Sequence, residues 1–187
     1  MRAFFLAATV LTTAVATQQL ATPRSASAAI AASTDDAGKI LRVEITVPAP
    51  RAEVWKAFAT SEGLSTWLAP NSNVELRKGG EWMAHFPGGS TGGGNIVSFV
   101  PEKEIVISAL APDQFPTVRA QRTTARFELE DHGTGTLVRL TQTGWKDGDE
   151  WDRAYEYLTA GNAQLLATLH RRFVSGPIDW AKQSDHH

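Results

Sequence analysis

The sequence predicts an α+β domain: a curved antiparallel sheet of about six to seven strands packed on one long C-terminal helix. Three observations carry that reading. KILRVEITV alternates apolar and polar residues and stops at Pro48 and Pro50. The middle of the chain repeats short alternating runs separated by turn residues. From Trp151 onward the apolar positions recur at helical spacing.

Along the first strand Leu41, Val43, Ile45 and Val47 share one face, and Arg42, Glu44 and Thr46 share the other. RAEVWKAFATSEGLSTWLAP then gives two short helices, the second capped by Ser61 and ending near Trp67, with Pro70 beyond. VELR and EWMAHF are strands joined at Gly79-Gly80, with Trp82, Ala84 and Phe86 alternating against Glu81, Met83 and His85. GNIVSFV and EIVISAL hinge at Pro101-Glu102-Lys103. The clearest hairpin sets Ala125, Phe127 and Leu129 against Val138 and Leu140, with its turn at Asp131-His132-Gly133. Trp151, Tyr155, Leu158, Leu165, Leu169 and Phe173 form one stripe of the final helix, which Gly176-Pro177 ends. IDW then lets Trp180 tuck back onto the body.

Asn162 falls on that stripe, between Leu158 and Leu165 and next to Gly161. Gly costs about 1 kcal/mol against Ala inside a helix, and Asn competes for backbone hydrogen bonds. Opposite a curved sheet, Gly161 is expected to permit a close approach or a bend. Asn162 has two readings: an amide offered to whatever fills the gap between sheet and helix, or an amide bonded to a strand carbonyl.

The chain of 187 residues opens with MRAFFLAATVLTTAVA, one basic residue and then an apolar run too short to span a membrane. It reads as a secretory signal, with a membrane anchor as the alternative. Ala14-Val15-Ala16 and Ala26-Ser27-Ala28 compete as cleavage sites, and the second is favoured. The expected organisation is a signal peptide at 1–28, a flexible lead-in at 29–38, one domain at 39–180 and a polar tail at 181–187. Export to the periplasm or the medium follows from the signal. Without residues 1–28, sixteen basic side chains face twenty acidic ones, a net charge of −4. That balance offers no basic stripe, so nucleic acid is not an expected partner. The absence of Cys removes disulfides, thiolate metal sites, Cys nucleophiles and lipid modification of a lipoprotein Cys.

Motifs for catalysis are weak. GGSTGGG lacks a Lys after its glycines and is followed by strands, so it reads as a mobile hairpin loop able to gate a cavity mouth rather than a phosphate loop. His85, His132, His170, His186 and His187 do not pair at metal-ligand spacing, so neither a metal nor a cofactor is expected. No Ser sits in a glycine-flanked elbow, and no catalytic residue is assigned. DGDEWD at 147–152 reads as a helix N-terminus, with Glu150 and Asp152 in structural roles. The aromatic load is more informative. Six Trp residues, 55, 67, 82, 145, 151 and 180, together with Phe99, Phe115 and Tyr155, can fill the core or floor an apolar pocket. The expected ligand-binding set is Trp67, Trp82, Phe99, Phe115, Gln142, Trp151, Tyr155, Leu158, Asn162 and Leu165, with Thr123 as a further polar candidate.

ITVPAPRAEVWKAFATSEGLSTWLAP, GGEWMAHF, GNIVSFVPEKEIVIS, GTLVRLTQTGW and the long final helix occur in an order that resembles the START-related helix-grip (SRPBCC) superfamily. Within it the chain is similar to the branch of the C-terminal domain of the heat-shock-protein-90 ATPase activator, over about residues 39–180. The resemblance implies a helix-grip fold with a deep cavity between sheet and final helix, used for lipids, hormones or polyketides and in a few members for cyclisation or hydrolysis. In many relatives Gly-Trp stands where this chain has Gly161-Asn162. The resemblance also implies a chaperone partner, but an exported protein would not meet that cytosolic ATPase.

Three functions follow as expectations. The first is an exported carrier or sensor of a small apolar or aromatic molecule. The second is a protein-binding, chaperone-activator-like module using the sheet's outer face or the short helices. The third is a cyclase-type enzyme using His85 or Tyr155 with an Arg such as Arg122.

Overall fold

In a computed structural model, which describes residues 29–35 and 38–183, the strands are β1 (Ala29–Asp35), β2 (Gly38–Val47), β3 (Asn71–Val74), β4 (Glu81–His85), β5 (Thr91–Val100), β6 (Glu104–Leu110), β7 (Thr123–His132) and β8 (Gly135–Thr143). The helices are α1 (Arg51–Ala59), α2 (Ser61–Ser65), α3 (Pro116–Gln121), α4 (Asp149–Ser175) and α5 (Trp180–Gln183). The eight strands form one sheet in the order β1-β2-β8-β7-β6-β5-β4-β3, every pair antiparallel. The α+β helix-grip class is as the sequence predicts, with one strand more than expected.

The extra strand corrects the expected lead-in: residues 29–35 pair with β2, Ala29 opposite Glu44 and Asp35 opposite Gly38. AIAASTD has no alternation of its own, and its order comes from β2's free edge. The signal segment expected at 1–28 lies outside the described residues. Among the described residues no helix is long and apolar enough to cross a membrane.

α1 and α2 carry the chain from β2, near one edge, to β3 at the other. α1 buries Val54, Trp55, Ala57, Phe58 and Ala59 against the sheet. A helix end leaves carbonyls without partners. Here two buried indoles supply them: Trp67 Nε1 donates to Ala57 O and Trp82 Nε1 to Phe58 O, each at 2.9 Å. The rings of Phe58, Trp67, Trp82 and Phe127 then close into one aromatic cluster, with centroids 5.2 to 6.4 Å apart. Thr60, rather than the expected Ser61, caps α2 through Gly63 N at 2.9 Å.

α4 is one helix of 27 residues, about 40 Å long. It is fastened to β2 near both ends. Tyr155 Oη donates to Ile40 O at 3.1 Å, and His170 Nδ1 to Thr46 O at 2.9 Å. At its N-terminus Lys39 pairs with Asp152, and Trp145, Trp151 and Tyr155 pack edge to face. Beyond Gly176, Ile178 N bonds Thr66 O and Trp180 Nε1 bonds Ser65 O, so the chain end returns to α2 as expected.

Candidate ligand-binding cavity

Between α4 and the inner face of β4 to β8 lies a cavity of about 590 Å³. Its origin is a shortage of side chain. Inward positions of β5, β6 and β7 carry Gly92, Ala109 and Ala125, all of which line the cavity. At the neighbouring positions Ile107, Phe127 and Leu140 restore an apolar wall, and Trp82 closes one end. Gly93 is held at φ +119, and a Cβ there would lie 2.1 Å from Trp82 O, so no other residue fits. Leu158 and Leu165 of α4 form the apolar roof.

One polar array interrupts this lining. Asn162 is only 8% exposed and Gln142 only 4%, and both line the cavity. Gln142 continues the inward parity of Thr136, Val138 and Leu140 along β8. Its Nε2 donates to the buried Thr123 Oγ1 at 2.7 Å, diagonally across the β7–β8 pair. Its Oε1 accepts from Asn162 Nδ2 at 2.8 Å. Among the described residues no group donates to Asn162 Oδ1. The strand-carbonyl reading of Asn162 is therefore corrected: its partner in the sheet is the Gln142 side chain, and its oxygen is left open toward the cavity.

The mouth is marked by the exposed lining residues Ser90, Asp113, Gln114 and Tyr157. Arg119 of α3 organises it. Its Nη2 donates to Thr91 Oγ1 at 3.1 Å, its Nη1 to Ala111 O at 2.5 Å, and its Nε pairs with Asp113 at 3.0 Å. α3 is pinned to α4 as well, because Glu150 Oε1 accepts from Thr117 N at 2.7 Å and Val118 N at 3.1 Å. Desolvation pushes the Glu150 carboxyl up, but donation from Thr117 and from the Val118 amide outweighs it and holds the group below its ordinary value. Glu150 thus serves α3 rather than its own helix, and Asp152 serves Lys39.

A family model described as activator of Hsp90 ATPase homolog 1-like protein matches residues 48–173. The chain belongs to that family. Solved structures similar to it include protein MLL2253 from Mesorhizobium loti, 20% identical, covering 74% of this chain and 99% of that one, at a TM-score of 0.63. The Aha1 dimer from Colwellia psychrerythraea is 20% identical, covering 73% and 97%, at a TM-score of 0.60. CalU16 from Micromonospora echinospora is 21% identical, covering 86% and 91%, at a TM-score of 0.57. At such identities the likeness is one of fold. No curated protein matches the chain.

Within this family fold, the expected set divides. Trp82, Gln142, Leu158, Asn162 and Leu165 line the cavity. Trp67 sits in the aromatic cluster, Trp151 and Tyr155 pack against Trp145, and Phe99 is half-buried on the core beside Ile105. Phe115 reaches the mouth only through Tyr157, its ring 5.6 Å away. Of the groups weighed for catalysis, His85 is exposed, the Tyr155 hydroxyl bonds Ile40 O, and Arg122 bonds Asn95 Oδ1 and Ser108 O. The sequence reading missed Gly93, Ala109, Ala125 and Tyr157. The glycines of GGSTGGG were the available signal, since Ser90 to Gly93 do border the cavity. Gly161 is exposed and a Cβ there meets nothing within 4 Å, so it does not serve a close approach, and α4 continues through it as one helix.

Proposed function

We propose that the protein binds a small apolar or aromatic molecule in this cavity and acts as an exported carrier or sensor. The observation that supports the reading is a 590 Å³ space walled by Trp82, Ile107, Phe127, Leu140, Leu158 and Leu165, with one buried amide array set into it. Cavities of that size and lining suit drug-sized ligands. Burying apolar ligand surface there would contribute about 25 cal/mol per Å² before the costs of association. An open space of this size weighs toward ligand binding rather than a purely protein-binding module. The groups weighed for cyclisation do not converge on it. The export half of the proposal rests on the N-terminal run MRAFFLAATVLTTAVA.

Native mass spectrometry of protein purified from its own host, with a thermal-shift screen of lipids and aromatics, tests the binding. Retention of a small molecule, or stabilisation by one apolar class, is expected. A ligand at about 100 times its Kd should add roughly 2.7 kcal/mol to stability. An empty protein that no apolar class stabilises would sink the proposal.

A further inference from the structure

We infer that the ligand is neutral and carries a hydrogen-bond donor, a hydroxyl or an N–H, that docks on Asn162 Oδ1. The inference rests on the ligand-binding reading above and narrows it to a chemical class.

The argument follows the polarity of the relay. Gln142 Nε2 is spent on Thr123 Oγ1, which leaves Gln142 Oε1 to face α4 as an acceptor. Asn162 must answer with its Nδ2, and does so at 2.8 Å. An amide whose nitrogen is committed presents its oxygen on the other side. That oxygen has no protein donor among the described residues, on a residue that lines the cavity. Because that oxygen is not among the fully buried atoms, it opens onto the cavity, where a ligand that displaces water from it must supply a donor in return. Thr123 lies outside the lining, so it acts as a positioning residue through Gln142.

Charge is excluded by the same lining. Among the described residues Asp113 is its one charged side chain; it stands at the mouth and is already paired with Arg119. No cation of the lining awaits a carboxylate or phosphate, so an anionic ligand would be desolvated without compensation. Neither the aromatic walls nor the leucines distinguish one apolar ligand from another. Selectivity then falls to Asn162.

Pyrene derivatives make a fluorescent test of matched shape. Wild-type protein should bind 1-hydroxypyrene roughly 3- to 10-fold more tightly than 1-methoxypyrene, the span of one net hydrogen bond. Pyrene-1-carboxylate should bind more weakly than either. In Asn162→Leu the preference for hydroxyl over methoxy should fall to about one while 1-methoxypyrene still binds, which also shows that the cavity is intact. Thr123→Val should weaken the same preference without touching ligand. Equal binding of the phenol and its methyl ether by the wild type, an unchanged preference in Asn162→Leu, or tightest binding of the carboxylate would overturn the donor assignment while leaving the cavity reading in place. Tighter binding of 1-acetylpyrene than of 1-hydroxypyrene would mean that the relay runs the other way, and would also overturn it. Failure of every pyrene, the uncharged ones included, would bring down both.

Discussion

Asn162 Nδ2 donates to Gln142 Oε1 across 2.8 Å, joining the middle of α4 to the inner face of β8 through two side-chain amides. The pair is buried, so each amide depends on the other. Asn162→Leu alone strands Gln142 Oε1 and should cost about 1 to 3 kcal/mol in chemical denaturation. Adding Gln142→Leu should recover most of that loss, because replacing both partners removes the unpaired group. A double variant no more stable than the single one would count against the coupling.

Ala125 faces the cavity from β7. Ala125→Leu should fill part of the space at little cost, within about 1 kcal/mol of wild type, because the added carbons enter a void. Ligand-induced thermal shifts should nevertheless disappear. A large destabilisation would indicate that the site is already packed.

Trp82 serves both the core and the end of α1. Trp82→Phe keeps an aromatic ring but deserts Phe58 O, a buried helix-terminal carbonyl. The expected loss is about 1 to 3 kcal/mol, read from the denaturation midpoint at constant m-value.

Gly161 offers a gain instead. It is exposed within α4, and a Cβ there meets nothing within 4 Å. Gly161→Ala should raise stability by about 0.5 to 1 kcal/mol while leaving ligand affinity unchanged. A decrease would show that α4 needs glycine's backbone freedom at this point.

Glu150 gives the mouth a pH dependence. Its folded pKa is lowered from 4.5. Its contribution is therefore fully present above the unfolded value and is lost as the pH falls through the lower folded value. The stability gap between wild type and Glu150→Gln should be constant near neutrality and shrink below about pH 4.5, as thermal melts across pH 3 to 7 would show.

Periodicity made the frame legible. The alternation in β2, β7 and β8 and the stripe on α4 each state which face is apolar, and a packed sheet and helix follow. β1 and α3 were not legible, because AIAASTD owes its order to a neighbouring strand and PTVRAQ is a short helix capped by Glu150 from 33 residues away. The site was legible where it sits on the stripe, as with Leu158, Asn162 and Leu165. It was not legible in the aromatics: composition counts rings but does not say that Trp67 caps α1 or that Trp151 packs on Trp145. Nor does a missing side chain announce itself, and Ala109 and Ala125 shape the cavity by what they lack.

The two indole-to-carbonyl bonds at the end of α1 also bear on how the molecule comes apart. They lock the aromatic cluster to the helix, whereas the neighbouring space has few atoms to hold it and a mouth tied by Arg119 and Glu150. Solvent should reach the backbone amides around α3 through brief local openings, while those under Phe58 and Trp82 exchange only when the whole chain unfolds. Admission of a guest would then be a fluctuation of one end, for which the other end stays still.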